Sequence, residues 1–226
     1  MNQIYSVTPF TFTDFPNKIA CVAWFGGCNM RCIYCYNVPV VEFDQSKGVS
    51  NDDFVKFLAS RVGKLNGVVF SGGECTLAPG FLKLLNKAKK LNFATKVDTN
   101  GTNFKAIQTA INENLIDYIA LDFKAPSDKF KLITCSNLYK NFIQTLKFLI
   151  KIDFNFEVRT TIHSDFLSAK DISKMAEILE NLGYKNSYFL QNFLATNHNF
   201  KPLQNPKSTF DFNDIKTNLK IELRNF

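Results

Sequence analysis

Cys28-Asn29-Met30-Arg31-Cys32-Ile33-Tyr34-Cys35 closes an apolar run, residues 18–25, with a Cys-x3-Cys-x2-Cys loop. Three thiolates at this spacing point to an iron-sulfur cluster, and such clusters are normally held by four. A cubane bound here therefore leaves one iron without a protein ligand and open for chemistry. The competing reading is a structural zinc site, which wants a fourth ligand in a closed tetrahedron. Cys75 is the candidate fourth ligand, but zinc modules usually pair two Cys-x2-Cys hooks and the second hook is absent, so iron-sulfur is favoured. Gly26-Gly27 lets the backbone turn tightly just before the loop. Cys21, between Ala20 and Val22, reads as a small core residue, and Cys135 stands before a helix with no partner nearby in sequence.

Outward from this loop, short apolar runs alternate with amphipathic stretches, which is a βα pattern. Strands are expected at 18–25, 67–71, 93–98, 118–123, 156–162 and 187–192, and helices at 51–62, 80–91, 104–114, 137–151 and 169–182. Asn51, Asp52 and Asp53 supply capping residues for the first helix, and Gly183 follows the last of them where a left-handed residue is wanted. Residues 211–218 read as a short helix, 219–224 as an edge strand, and the Asn- and Pro-rich segment 195–208 as a loop. Parallel strands with right-handed helical crossovers give an α/β fold, either a doubly wound sheet or a barrel, with working residues at the strand C-terminal ends.

Alternation along the strands separates two faces. Ile119, Leu121 and Phe123 suit a helix-covered face, while Ala120, Asp122 and Lys124 share the other. In 156–162, Phe156, Val158 and Ile162 oppose Glu157, Arg159, Thr161 and His163, and Ala94, Lys96 and Asp98 repeat the polar side. Charges on the inner side of neighbouring strands are too costly to bury unpaired, so they need ligands or one another. A polar cavity inside a curved sheet is expected. Ser71-Gly72-Gly73-Glu74 ends the second strand, and its exposed backbone and carboxylate suit an ammonium group.

At 226 residues, with 46% hydrophobic residues and 24 Phe, the chain is long enough for one domain with a sizeable core, taken as 1–226. No stretch reaches the apolar length of a membrane span. The start Met1-Asn2-Gln3-Ile4-Tyr5 lacks the basic region and apolar core of a secretion signal, and close cysteines make poor disulfide partners, so a reducing cytoplasm is expected. The net charge of +7 is spread over several segments and the aromatics sit at apolar positions, which argues against nucleic acid.

The Cys-x3-Cys-x-aromatic-Cys loop, Gly72-Gly73-Glu74, Asp98-Thr99-Asn100-Gly101, Leu121-Asp122-Phe123-Lys124-Ala125-Pro126 and Val158-Arg159-Thr160-Thr161 together resemble the glycyl-radical-enzyme activases among the radical S-adenosylmethionine (SAM) enzymes. Within these the chain is similar to activators of anaerobic ribonucleoside-triphosphate reductase, in the branch close to pyruvate formate-lyase activating enzyme. The resemblance implies a partial (β/α)6 barrel with parallel strands and outer helices. It implies that Cys28, Cys32 and Cys35 ligate a [4Fe-4S] cluster whose fourth iron takes the amino and carboxylate groups of SAM, and that Gly72, Gly73 and Glu74 contact the methionine ammonium. By the same likeness Asp98, Asp122, Lys124 and Arg159 bind the SAM ribose and carboxylate or a monovalent cation near Asp98 and Asp122, and Tyr34 and Tyr36 sit beside the cofactor. The implied reaction passes an electron from a flavodoxin- or ferredoxin-type carrier through the cluster to SAM, giving methionine and a 5′-deoxyadenosyl radical that takes hydrogen from a partner's glycine. No acid-base residue is called for, so His163 is expected to be a polar cavity residue, with Gln191 either lining the substrate mouth or a satisfied core amide. A radical SAM enzyme on a small molecule, such as a deazapurine synthase, and a non-catalytic metal-binding module are the alternatives. The chain departs from the family pattern at Cys75, where proline is usual, at Tyr36, where histidine is usual, and at Asn17, where glycine is usual.

Overall fold

Ala20-Cys21-Val22-Ala23-Trp24-Phe25 and Gly67-Val68-Val69-Phe70-Ser71-Gly72 are continuous apolar runs of the kind that fills a strand covered on both faces. They are β2 (Ala20–Phe25) and β3 (Gly67–Gly72), paired in parallel. The computed structural model describes residues 3–196, 198–200 and 203–226. Met1 and Asn2 of the leader reading, and Asn197, Lys201 and Pro202 of the expected loop, lie outside the described residues.

The chain divides into two compact units. The first contains the chain up to Asn29, Pro39–Thr99 and Asn103–Ala120. Here β1 (Ile4–Thr11) runs antiparallel to β2, and β2, β3 and β4 (Ala94–Thr99) form a parallel ladder. Helices α1 (Val38–Val41), α2 (Asn51–Arg61), α3 (Phe81–Lys90) and α4 (Phe104–Asn112) accompany them. On α3, Phe81, Leu84, Leu85 and Ala88 are buried, the spacing of one helical face. Phe70 is the hub of this side, stacked on Phe25 at 5.6 Å and edge-on to Phe54 and Phe81. On the other face Phe15 packs with Ala20, Val22 and Val69, so the strand starts are apolar and the polar residues fall at the strand ends. Asn17, at the position where the family has glycine, adopts φ +58°, a left-handed conformation that asparagine tolerates.

The second unit holds Met30–Val38, Asn100–Thr102 and Leu121–Phe226. β5 (Tyr118–Asp122) begins in the first unit and ends in this one. β6 (Phe156–Ile162), β7 (Tyr188–Asn192) and β8 (Ile221–Arg224) are parallel, with α5 (Ser127–Thr134), α6 (Tyr139–Lys151) and α7 (Ala169–Asn181). The N–H of Phe123 donates to the Arg159 carbonyl at 2.9 Å. Every ladder described is parallel except β1 with β2.

The six expected strands and five expected helices are present, with ends moved by one or two residues. β1 and the helices α1 and α5 were not expected. The first long helix is capped by Ser50, which precedes the residues named for it; its hydroxyl accepts from the Asp53 N–H at 3.1 Å. Gly183 has the expected positive φ. In place of a helix over 211–218 there is one 3-10 turn, Phe212–Asp214, since the Asp211 carboxylate caps it locally through the Asn213 N–H. Cys135 stands before α6 as expected, and is also the left-handed cap that ends α5.

Candidate functional site

The cysteine loop leaves β2 through Gly26-Gly27, and its entrance is bonded to the glycine turn that ends β3. Gly73 N–H donates to Phe25 O at 2.8 Å, and Glu74 N–H donates to Gly27 O at 2.9 Å. This close approach is why both glycines are needed. A Cβ on Gly72 would lie 2.4 Å from the Phe25 backbone, and one on Gly73 would lie 1.9 Å from the Gly27 oxygen. Gly72 also has φ +117°, where side chains are strained. The Gly-Gly-Glu turn thus presses directly on the residue before Cys28.

Glu74 is almost wholly buried. Its Oε1 accepts from the Thr76 hydroxyl at 2.6 Å, the Thr99 hydroxyl at 2.7 Å and the Thr76 N–H at 3.3 Å, so it caps the 3-10 turn Cys75–Leu77 and ties it to the end of β4. Sequence reading singled out the carboxylate and missed Thr76, which the 3-10 turn brings to it, and Thr99, which only the register of β3 against β4 brings to it. Cys75 is buried beneath the turn; its thiol donates to the carbonyls of Phe70 and Asp98. Burial, with Glu74 and Asp98 adding to it, holds that thiol well above its ordinary range, so it stays protonated. Its position beneath the turn, directed at the Phe70 and Asp98 carbonyls, argues against a fourth zinc ligand. Cys21 is likewise core, with burial pushing its thiol up to about 12.

In the second unit, the far half of the loop is held by α5. The last carbonyls of a helix have no partner within it. Here Arg31 N–H donates to Thr134 O and Ile33 N–H donates to Ile133 O, both at 2.9 Å, and Cys35 N–H closes a turn on Cys32 O. Tyr34 is buried, and its hydroxyl donates to the Lys124 carbonyl at 3.1 Å, while the Tyr34 carbonyl accepts from Asn199. Burial raises the Tyr34 phenol. Tyr36 is exposed, and the Arg31 guanidinium lies over the Phe200 ring.

The charged strand ends pair as their burial requires. In the first unit Lys96 bonds Asp98, whose other oxygen accepts from Ser71 at 3.2 Å. In the second, Asp122 lies between Lys124 at 3.0 Å and Arg159 at 2.5 Å. Burial alone would raise the Asp122 carboxyl, but the Arg159 and Lys124 charges outweigh it and hold it at about 2. For Lys124, burial pulls the ammonium down, and Asp122, Cys32 and Tyr34 more than reverse it. Glu157 takes the Arg224 guanidinium on both oxygens, at 2.9 and 2.8 Å. Gln191 is half-buried on β7.

Among the described residues, no three or more His, Cys, Asp and Glu side chains are gathered as a metal site. The case for a metal therefore stands on the donor set: three thiols at Cys-x3-Cys-x2-Cys spacing, Cys28 and Cys35 partly exposed and Cys32 buried, on a loop whose backbone is fixed at both halves. Soft thiolates of this number suit iron-sulfur chemistry.

The model of the radical SAM superfamily matches residues 22–180. Pyruvate formate-lyase-activating enzyme of Clostridium pasteurianum is 30% identical over 191 residues, covering 80% of this chain and 78% of its own. A Methanocaldococcus jannaschii protein provisionally named as a glycyl-radical enzyme activating enzyme is 28% identical over 216 residues, 90% of this chain and 86% of that one. Among solved structures, Streptococcus suis SuiB bound to S-adenosylmethionine superposes with a TM-score of 0.68 at 14% identity, over 87% of this chain. The chain spans about half of that solved chain, 48%. At this identity the likeness shows the fold alone.

Proposed function

The chain belongs to the radical SAM superfamily, in the branch of pyruvate formate-lyase-activating enzyme, and we propose that it installs a glycyl radical on a partner enzyme, anaerobic ribonucleoside-triphosphate reductase. The carrying observation is the three-cysteine loop, bonded at its entrance to the Gly-Gly-Glu turn and in its far half to the end of α5. Membership of the superfamily implies a [4Fe-4S] cluster and SAM. Bound together, these supply a one-electron cleavage of the carbon-sulfur bond that yields a radical able to take hydrogen from glycine.

The roles proposed for the chain's own residues are those the family resemblance implies. Cys28, Cys32 and Cys35 would hold the cluster through their thiolates. The turn Gly72-Gly73-Glu74 takes the methionine ammonium, with Glu74 kept in place by Thr76 and Thr99. Asp98 with Lys96, and Asp122 with Lys124 and Arg159, receive the SAM ribose and carboxylate or a small cation. Tyr36 offers an exposed ring to the adenine, and Tyr34 reaches it only by its ring, because its hydroxyl is spent on Lys124. The chain acts as one radical SAM core in the cytoplasm with a flavodoxin- or ferredoxin-type donor. No helix among the described residues is long and apolar enough to cross a membrane.

The test is anaerobic: reconstituted, reduced protein is mixed with SAM and the reductase from the same organism. A glycyl radical detected by electron spin resonance, with one 5′-deoxyadenosine formed per radical, is expected. SAM cleavage without a radical on the reductase, but with one on a pyruvate formate-lyase, would move the partner and keep the reaction class. Absence of SAM cleavage would remove both.

A further inference from the structure

We infer that Lys96 serves as the fixed cation of the Asp98 carboxylate, so that this strand end takes an uncharged hydrogen-bond donor of SAM and no monovalent metal ion; this rests on the activase reading above, which brings SAM to the strand ends. Lys96 and Asp98 are two residues apart on β4, so their side chains share a face. The Lys96 ammonium bonds Asp98 Oδ1. The Ser71 hydroxyl, near the end of β3, donates to Asp98 Oδ2 at 3.2 Å. Each carboxylate oxygen thus has its own donor, one from each of two paired strands.

Burial decides what the pair can do. The Lys96 side chain is 3% exposed and that of Asp98 is 11% exposed. The ammonium is shut in, and the part of the pair that meets the surface is the carboxylate. A lysine charge at this depth is too costly to leave unpaired, so Lys96 stays with Asp98. A metal ion on the same carboxylate would sit beside an ammonium already bonded to it, and like charges repel strongly where water is scarce.

The backbone beneath the pair is also fixed. Lys96 stands opposite Val69 in the ladder of β3 and β4, and the Cys75 thiol donates to the Asp98 carbonyl at 3.5 Å. A carboxylate set by two donors on such a base is a preorganised acceptor. Ionised carboxylates only accept. With its charge matched by Lys96, the open part of Asp98 suits a hydroxyl, such as those of the SAM ribose, over a cation. Lys96 is thus a positioning residue that acts through Asp98. Glu74 is held differently, by the hydroxyls of Thr76 and Thr99, and any ion drawn to it must be told apart from one on Asp98.

The test compares the unsubstituted protein, Lys96→Met, Asp98→Asn and the double variant in potassium, sodium and choline chloride at equal ionic strength. SAM binding to anaerobically reconstituted protein is titrated by calorimetry, and Tm is measured in the same salts. For the unsubstituted protein the SAM dissociation constant should change by less than about twofold among the salts. Lys96→Met keeps a long side chain and removes its charge, so Asp98 should recruit an ion. SAM should then bind at least about fivefold tighter in potassium or sodium than in choline, with Tm higher by about 2–4 °C. The double variant, neutral at both positions, should lose that response, which assigns it to Asp98 and not to Glu74. An ion response of the unsubstituted protein that disappears in Asp98→Asn overturns the assignment, even where Lys96→Met fails to fold. A folded Lys96→Met without an ion response overturns it as well. SAM that binds the unsubstituted protein in none of the salts overturns the activase reading instead, and the Tm comparison then still tests Lys96.

Discussion

Replacing Gly73 by alanine tests whether the glycine turn sets the entrance of the cysteine loop. The added Cβ would sit 1.9 Å from Gly27 O and 2.7 Å from Gly27 C, both backbone atoms. An ordinary carbon-oxygen contact is about 3.3 Å, so the turn and the loop must part by more than 1 Å. That stretches the bonds from Gly73 N to Phe25 O and from Glu74 N to Gly27 O, now 2.8 and 2.9 Å. Overpacking costs about 1–3 kcal/mol and each backbone bond about 1 kcal/mol. A loss of about 3 kcal/mol lowers Tm by roughly 6–12 °C in a chain of this size. Gly63→Ala is the control: Gly63 has φ +75° but nothing within 4 Å of its Cβ, so only the backbone cost of about 1 kcal/mol applies. Thermal unfolding of the metal-free variants should show the larger fall for Gly73→Ala, and iron analysis after anaerobic reconstitution should show that variant alone under-loaded. A Gly73→Ala protein with wild-type Tm and full iron would refute the reasoning.

Two further outcomes follow from buried groups. Because Arg159 and Lys124 hold the folded Asp122 carboxyl near 2, below its unfolded value of about 4, the group contributes about 2 kcal/mol of stability that is fully present above about pH 4 and is lost as pH falls through its folded value; in Tm measurements from pH 7 to 3, Asp122→Asn should start lower and decline less steeply than the parent, and parallel curves would contradict this. Cys75→Ala should keep the full iron load, since that thiol donates to Phe70 and Asp98 carbonyls inside the core, whereas iron loss in Cys75→Ala would restore it as a ligand.

Much of the fold was legible because buried parallel strands are nearly uninterrupted apolar runs, as in Ala20–Phe25 and Gly67–Gly72. β1 escaped because Ile4–Thr11 mixes polar residues with a proline, and its one neighbour leaves much of it exposed. α5 escaped because eight residues carry too little periodicity and its end is capped by Cys135 where glycine would be the signal. Yet α5 is what holds the backbone at Arg31 and Ile33. The charged residues of the site could be read from strand alternation, since Asp98, Asp122, Lys124 and Arg159 fall on the polar side of their strands. Their partners could not, because Thr99 on Glu74 and Ser71 on Asp98 depend on strand register.

The proposed reaction requires a cluster with three protein ligands and one open iron. Mössbauer spectra of anaerobically reconstituted protein test it most directly. A [4Fe-4S] centre is expected in which one iron changes its spectrum when SAM is added, and which is lost in the Cys28→Ala, Cys32→Ala, Cys35→Ala triple variant. A spectrum without a cubane, or a triple variant that keeps one, would contradict it.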